Sequence, residues 1–216
     1  MNKDYSLLTK LQAFALDAHF TIEQSGRNKG GHFINFNGTA GVWRKSCIED
    51  AGGWEADTLT EDLDLSYRAQ MRGWKFQYLE EVESPAELPV TMSALKSQQF
   101  RWAKGAAECA KKNLWKMLLK RGIGFSTKVM AIFHLFNSFL FICIISLAFM
   151  SVPLMYIVDG HPEWEPVYNF LTMFFTSTVI LGIVYYVAST VNTTNRLKDT
   201  GKFLLYFPAF LSVSMS

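Results

Sequence analysis

Thr60-Glu61-Asp62-Leu63-Asp64-Leu65-Ser66-Tyr67-Arg68-Ala69-Gln70-Met71-Arg72-Gly73-Trp74-Lys75-Phe76-Gln77-Tyr78-Leu79 is the stretch on which the fold turns. Its first half predicts a helix over Glu61 to Arg72. Acids crowd the first turn, where the helix dipole favours negative charge, and Gly73 ends the run. Its second half predicts a strand over Trp74 to Leu79, with mostly alternating apolar character. Helix followed directly by strand points to an α/β domain.

The neighbouring sequence extends that pattern. Upstream, Tyr5 to Gln24 repeats apolar residues near helical spacing, through Leu7, Leu8, Leu11, Phe14, Ala15 and Ala18. Ser25 to Gly31 reads as a loop and His32 to Phe36 as a short strand, turned by Asn37-Gly38. Arg44 to Ala51 predicts a short helix closed by Gly52-Gly53. Downstream, Thr91 to Lys120 predicts a long helix with a break near Gly105.

Beyond residue 128 the composition changes. All 21 Lys and Arg lie outside Val129 to Asn195, and that stretch holds only the acids Asp159, Glu163 and Glu165. The apolar runs Val129–Val158 and Val167–Val191 are long enough to read as membrane spans, and a third run starts at Phe203. Lys111, Lys112, Lys116, Lys120, Arg121 and Lys128 precede the first run. The Asp159 to Pro166 loop has no Lys or Arg, and Arg196, Lys198 and Lys202 follow the second. The positive-inside rule then puts residues 1–122 and the last segment on the cytoplasmic side, with 123–216 as a multi-pass membrane region. His134 and Asn137 are read as hydrogen-bonding groups within the first span.

A net charge of +2 with no dense basic patch gives no reason to expect nucleic acid. Cys47, Cys109 and Cys143 are an odd, scattered set, which makes neither a disulfide framework nor a zinc site.

Three clusters could carry chemistry. Asp57, Glu61, Asp62 and Asp64 crowd one helix start. Thr58 with Glu61 fits a capping box, so a purely structural role is open; so is a carboxylate projecting into a cleft to take a proton from a sugar hydroxyl. Gln98, Arg101 and Trp102 share one helical turn. The guanidinium suits a phosphate and the indole a sugar face, while the structural alternative is an amphipathic interfacial helix with an aromatic anchor. Finally, Phe36-Asn-Gly-Thr-Ala-Gly-Val-Trp-Arg44 follows a predicted strand with small residues that let backbone N–H groups approach a ligand.

Phe36-Asn-Gly-Thr-Ala-Gly-Val-Trp-Arg44, Ala51-Gly-Gly-Trp54, Thr60-Glu-Asp62, Arg72-Gly-Trp-Lys-Phe76, Glu87-Leu-Pro89 and Gln98-x-x-Arg-Trp102 stand in an order and spacing that closely resemble the processive family-2 glycosyltransferases. The nearest likeness is to the mannan and glucomannan synthase branch, with cellulose synthases further off. The match covers Tyr5 to Trp115. It implies the acceptor half of a GT-A-type α/β domain followed by transmembrane helices, and inverting hexose transfer from a nucleotide sugar, GDP-mannose or UDP-glucose, to a growing β-linked polysaccharide. By resemblance Asp62 is the general base and Glu61 positions it or the acceptor. Gln98 and Arg101 contact the donor diphosphate, and Trp102 lies under the acceptor sugar. Phe36, Asn37, Gly38 and Thr39 line the acceptor site beside Thr60.

The resemblance also implies an Asp-x-Asp pair that holds Mg²⁺ or Mn²⁺. Asp62-Leu-Asp64 overlaps the Thr-Glu-Asp motif and is not read as that pair, which is expected upstream. The chain is therefore expected to be a piece truncated at both ends, of a multi-pass protein in a bacterial inner membrane or a eukaryotic Golgi or plasma membrane. Self-association stays open. Two alternatives remain at this point: a non-processive lipid glycosyltransferase of the ceramide glucosyltransferase type, and an inactive fragment or scaffold lacking the donor half.

Overall fold

The computed structural model describes residues 2–136, 160–191 and 196–214, and isolated positions from 146 to 157. Side chains at 162, 167, 168, 170–178 and 212–214 lie outside that description. The chain divides into two compact units: Met1–Ala13 with His19–Ser138, and Phe14–Ala18 with Phe139–Ser216.

The helix α1 (Leu7–Ala18), whose first half to Ala13 belongs to the first unit, runs into a π-helical turn, His19–Gln24, and then α2 (Ser25–Lys29). The helical character predicted for Tyr5 to Gln24 thus continues into the expected loop and ends at Lys29, capped by Gly30, before Gly31 turns the chain at φ +68°. The short helix α3 is Lys45–Asp50, and α4 is Glu61–Met71. Gly73, at φ +97°, ends α4 as its sequence suggests; an L residue there would be strained. Next come α5 (Met92–Leu119) and α6 (Phe125–Leu135). No break interrupts α5 at Gly105. Glycine serves a different purpose there, given below.

The centre of this unit is α4, which is buried on two faces. Leu63 and Tyr67, one helical turn apart, pack with Cys109, Ala110 and Met117 of α5 and Ala131 and Leu135 of α6. Leu65 and Ala69 pack with Cys47 and Ala51, bordered by Trp43, Trp74 and Phe76. Full burial of Leu65 and Tyr67 stabilises the unit by about 1.5–3 kcal/mol each. Tyr67 meets its polar requirement by pairing its hydroxyl with His134 Nδ1 at 2.8 Å. His134 therefore has a hydrogen-bond partner, as read from the sequence, but one on α4. Asn137 lies outside the described residues.

The strands expected at His32–Phe36 and Trp74–Leu79 are not formed: among the described residues there is no strand, and both segments are irregular, with no ladder. Side chains take the place of a neighbouring strand. The Ile34 N–H donates to Gln70 Oε1 at 3.0 Å, and Gln70 Nε2 donates to the Ile34 carbonyl at 2.7 Å. The Phe36 N–H donates to Ser66 Oγ. Asn28 Nδ2 donates to the Phe76 carbonyl, and the Tyr78 N–H donates to Asn28 Oδ1. Buried backbone groups must find partners, and here the amides and hydroxyls of α2 and α4 supply them.

In the second unit a 3₁₀ turn (Pro162–Trp164) leads into α7 (Glu165–Thr190), and α8 is Arg196–Ser214. Phe14 lies against Tyr185 at 5.4 Å between ring centroids, and also against Phe203, Tyr206 and Phe210. Phe203 and Phe207 stack at 5.2 Å.

The expectation of membrane spans is not met among the described residues, where no helix is long and apolar enough to cross a membrane. The reasons differ by helix. α6 has 11 residues, against the ~20 a span needs. α5 is long but carries charge along its length. α8 opens with Arg196, Lys198, Asp199 and Lys202. The run expected over 129–158 falls mostly outside the described residues. So does the middle of the 167–191 run, where α7 is described only as backbone.

Candidate active site

Asp62 sits in the first turn of α4 and bridges two of the motifs. Its Oδ2 accepts from the Gly38 N–H at 2.8 Å, and its Oδ1 accepts from the Leu63 N–H at 2.8 Å. Gly38 takes φ +58°, which turns its N–H onto the carboxylate at little steric cost. A carboxylate has about four acceptor positions, so at least one lone pair stays free and the group can still take a proton. Burial pushes the Asp62 pKa up, the two backbone N–H donors oppose that shift, and the neighbouring Glu61 charge adds to it. The result is a more basic carboxylate than an exposed aspartate. Glu61 is exposed beside it.

The Phe36 to Arg44 loop folds back on itself. A Cβ on Gly41 would stand 2.7 Å from the Phe36 ring, so glycine is needed for that closure. Phe36 lies 5.1 Å from the Trp43 ring, which continues edge-on to Phe76 at 4.9 Å. Asn37 pairs with Asn35, while Gly38 and Thr39 are exposed at the tip.

The capping box expected from Thr58 and Glu61 is absent. The N-cap of α4 is Thr60, with no side-chain cap bond, and the Thr58 and Thr60 hydroxyls are buried without partners among the described residues. The reason lies across the interface with α5. Gly105 faces Thr60 so closely that a Cβ there would lie 2.5 Å from both Thr60 Cγ2 and Oγ1. Three residues on, Glu108 Oε2 accepts from the Leu59 N–H at 2.9 Å.

This contact relates the second cluster to the first. Gln98, Arg101 and Trp102 precede Gly105 by two turns or less on the same side of α5, about 5–11 Å along the axis. Arg101 and Trp102 are exposed and Gln98 is half-buried. The candidate base and the candidate phosphate and sugar groups thus flank one helix–loop junction.

Sequence reasoning missed the group that secures that junction. Lys112 looks like part of the basic stripe before the apolar half, yet its side chain is only 16% exposed. Its ammonium donates to Glu55, to Asp57 Oδ1 at 2.7 Å and to Asp64 Oδ2 at 3.0 Å. Burial works against its charge, but the hydrogen bonds to Asp57, Glu55 and Asp64 win, and its pKa stands above that of a free lysine. The Lys112 hydrogen bond in turn holds Asp57 below its ordinary value. Asp64 is fully buried, bonded also to Arg68 Nε at 2.8 Å and Asn113 Nδ2 at 2.7 Å.

Glu55, Asp57 and Asp64 are the one carboxylate triple among the described residues whose oxygens converge enough to hold a metal, within 4.8 Å. It does not fit the Mg²⁺ or Mn²⁺ that the resemblance implies. Lys112 already pairs with all three members and Arg68 with two of them, and Asp64 is sealed from solvent. Asp62-Leu-Asp64 fails too, because Asp62 turns to Gly38 and Asp64 to Lys112.

Residues 1–207 match the family model described as glycosyl transferase family group 2. The chain is similar to glucomannan 4-beta-mannosyltransferase 1 of Oryza sativa subsp. japonica, 39% identical over 78% of this chain and 33% of the relative. It is also similar to glucomannan 4-beta-mannosyltransferase 2 of Arabidopsis thaliana, 38% identical over 78% of this chain and 32% of that protein. A probable glucomannan 4-beta-mannosyltransferase 11 of the same rice is 42% identical over 66% of this chain and 24% of its own length. The chain spans about a third of the length of the first two relatives. No solved structure matches it.

Proposed function

Because the chain belongs to glycosyl transferase family group 2, we propose that it forms the acceptor side of an inverting hexosyltransferase that extends a β-linked polysaccharide, β-1,4-mannan or glucomannan. The relatives' printed names support a glucomannan product and transfer of a mannosyl group; the donor is a nucleotide sugar, GDP-mannose or UDP-glucose.

One observation carries the reading: the Asp62 carboxylate joins the Thr60-Glu-Asp62 motif to the Phe36 to Thr39 loop through the Gly38 N–H, with an oxygen lone pair still available. In the reaction Asp62 takes the proton of the acceptor hydroxyl as that oxygen attacks the anomeric carbon. A positioned base contributes ~10²–10⁴-fold. Glu61 orients the acceptor, Phe36, Asn37, Gly38, Thr39 and Thr60 line its site, and Trp102 offers a flat face to the sugar. The leaving nucleoside diphosphate gains negative charge, which Gln98 and Arg101 meet with hydrogen bonds and a guanidinium. A divalent cation would supply further charge neutralisation on the diphosphate. No carboxylate group among the described residues fits it.

The apolar runs 129–158 and 167–191, free of Lys and Arg, support a membrane-bound enzyme with this site on the cytoplasmic face. A lipid transferase making a single-sugar product is the competing reading, and product length on gels separates the two.

Asp62→Asn tests the base. In the full-length protein, turnover should fall ~10²–10⁴-fold with nucleotide binding retained. Near-normal turnover in membranes bearing only the variant would remove Asp62 from the role.

A further inference from the structure

We propose that Lys112 acts as a built-in cation that positions the acidic motif: with Gly105 and Glu108 it holds the segment from Glu55 to Asp64 against α5, and so sets where the Asp62 carboxylate stands. The inference rests on the assignment of Asp62 as base.

The geometry is that of a clamp along one helix face. Gly105, Glu108 and Lys112 follow one another at intervals of three and four, so their side-chain positions line up along α5. Each grips a different point of one segment. Lys112 holds Glu55 and Asp57 on the loop before the motif, and Asp64 just after it. Glu108 holds the Leu59 N–H. Gly105 receives the Thr60 side chain where any larger residue would push it away. Thr60, Glu61 and Asp62 therefore lie between two points tied to a single ammonium.

The cation is there for a reason beyond pairing. Asp64 is fully buried and already has Arg68 as an ion partner. Glu55 and Asp57 are substantially exposed, and a surface pair with either is worth little on its own. Together the contacts make a bond between loop and helix start, across a junction that no backbone ladder spans. Gln98, Arg101 and Trp102 stand on the same helix, so the clamp also fixes the base relative to the groups proposed to meet the diphosphate and the acceptor sugar. A misplacement of the order of 1 Å can cost on the order of 10²-fold in rate.

The test is kinetic and uses the full-length protein. Glu55→Ala with Asp57→Ala removes the loop-side grips at exposed positions and leaves the Lys112–Asp64–Arg68 contacts in place, so the fold survives. The expected result is a fall in kcat of at least tenfold, an unchanged donor KM and an unchanged thermal midpoint. Lys112→Met should lower kcat further, and Lys112→Arg should recover most of it. A double variant that is folded and turns over within twofold of wild type overturns the proposal. So does a loss of rate matched by an equal loss of folded protein. Asp62→Asn, run in the same assay, keeps the two ideas apart. If it is inactive while the double variant is normal, only the clamp fails. If it is active, the base assignment fails first.

Discussion

Asp62 has an environment with two opposing effects, and their balance has a measurable consequence. Burial favours the protonated acid, while the N–H groups of Gly38 and Leu63 favour the carboxylate, and burial prevails. A base must be unprotonated to act. The raised pKa therefore moves the acid limb of activity upward: kcat/KM should fall on acidification with a midpoint above ~3.9, the ordinary aspartate value. A pH–rate profile of the full-length protein measures it, and a midpoint at or below that value would contradict the burial seen here. Much of this residue was legible beforehand. The Thr-Glu-Asp string and its place at a helix start were visible in sequence, but the Gly38 contact was not, because 24 residues separate the partners.

At the scale of elements, α5 is the organiser. Sequence spacing gave its extent to within a residue or two, and the order of the helices α3 and α4 as well. It did not give the purpose of Gly105, which looks like a break in a list of residues and is a contact in space. It also left Lys112 among the basic residues near the apolar half, since periodicity assigns a face to a side chain and says nothing of what covers that face. The strands failed for a related reason. The short run at His32–Phe36 and the alternation at Trp74–Leu79 suggest strands, but a strand needs a neighbour, and Gln70, Ser66 and Asn28 bond the backbone instead. The glycine makes a sharp test. Gly105→Ala should destabilise the first unit by roughly 1–3 kcal/mol, the usual range for overpacking, because Thr60 must move. Thr60→Gly on the same background should restore part of that loss. Thermal unfolding of the four proteins gives the coupling, and additive effects would mean that the two do not press on each other.

For the whole molecule, the strongest sequence signal is the uneven spread of charge: every Lys and Arg lies outside Val129 to Asn195. If the apolar runs span a bilayer, the acidic turn between them faces away from the site built around Asp62. Glu163 is a suitable probe, being 64% exposed in the turn before α7. The native cysteines permit the experiment. Cys47 and Cys109 are buried, at 4% and 0% exposure, and free. Burial raises the pKa of both, pushing Cys109 up to about 12, so neither presents a thiolate to a reagent near neutral pH. Cys143 lies outside the described residues and is replaced by serine in the test protein. Glu163→Cys on that background, in sealed vesicles with the Asp62 side outward, should resist a membrane-impermeant maleimide until detergent opens the vesicle. A cysteine at Asp57, which is exposed beside the site, should react at once in the same vesicles. Equal labelling of the two positions before detergent would place both on one face, and the runs 129–158 and 167–191 would then have to be accommodated without crossing the bilayer.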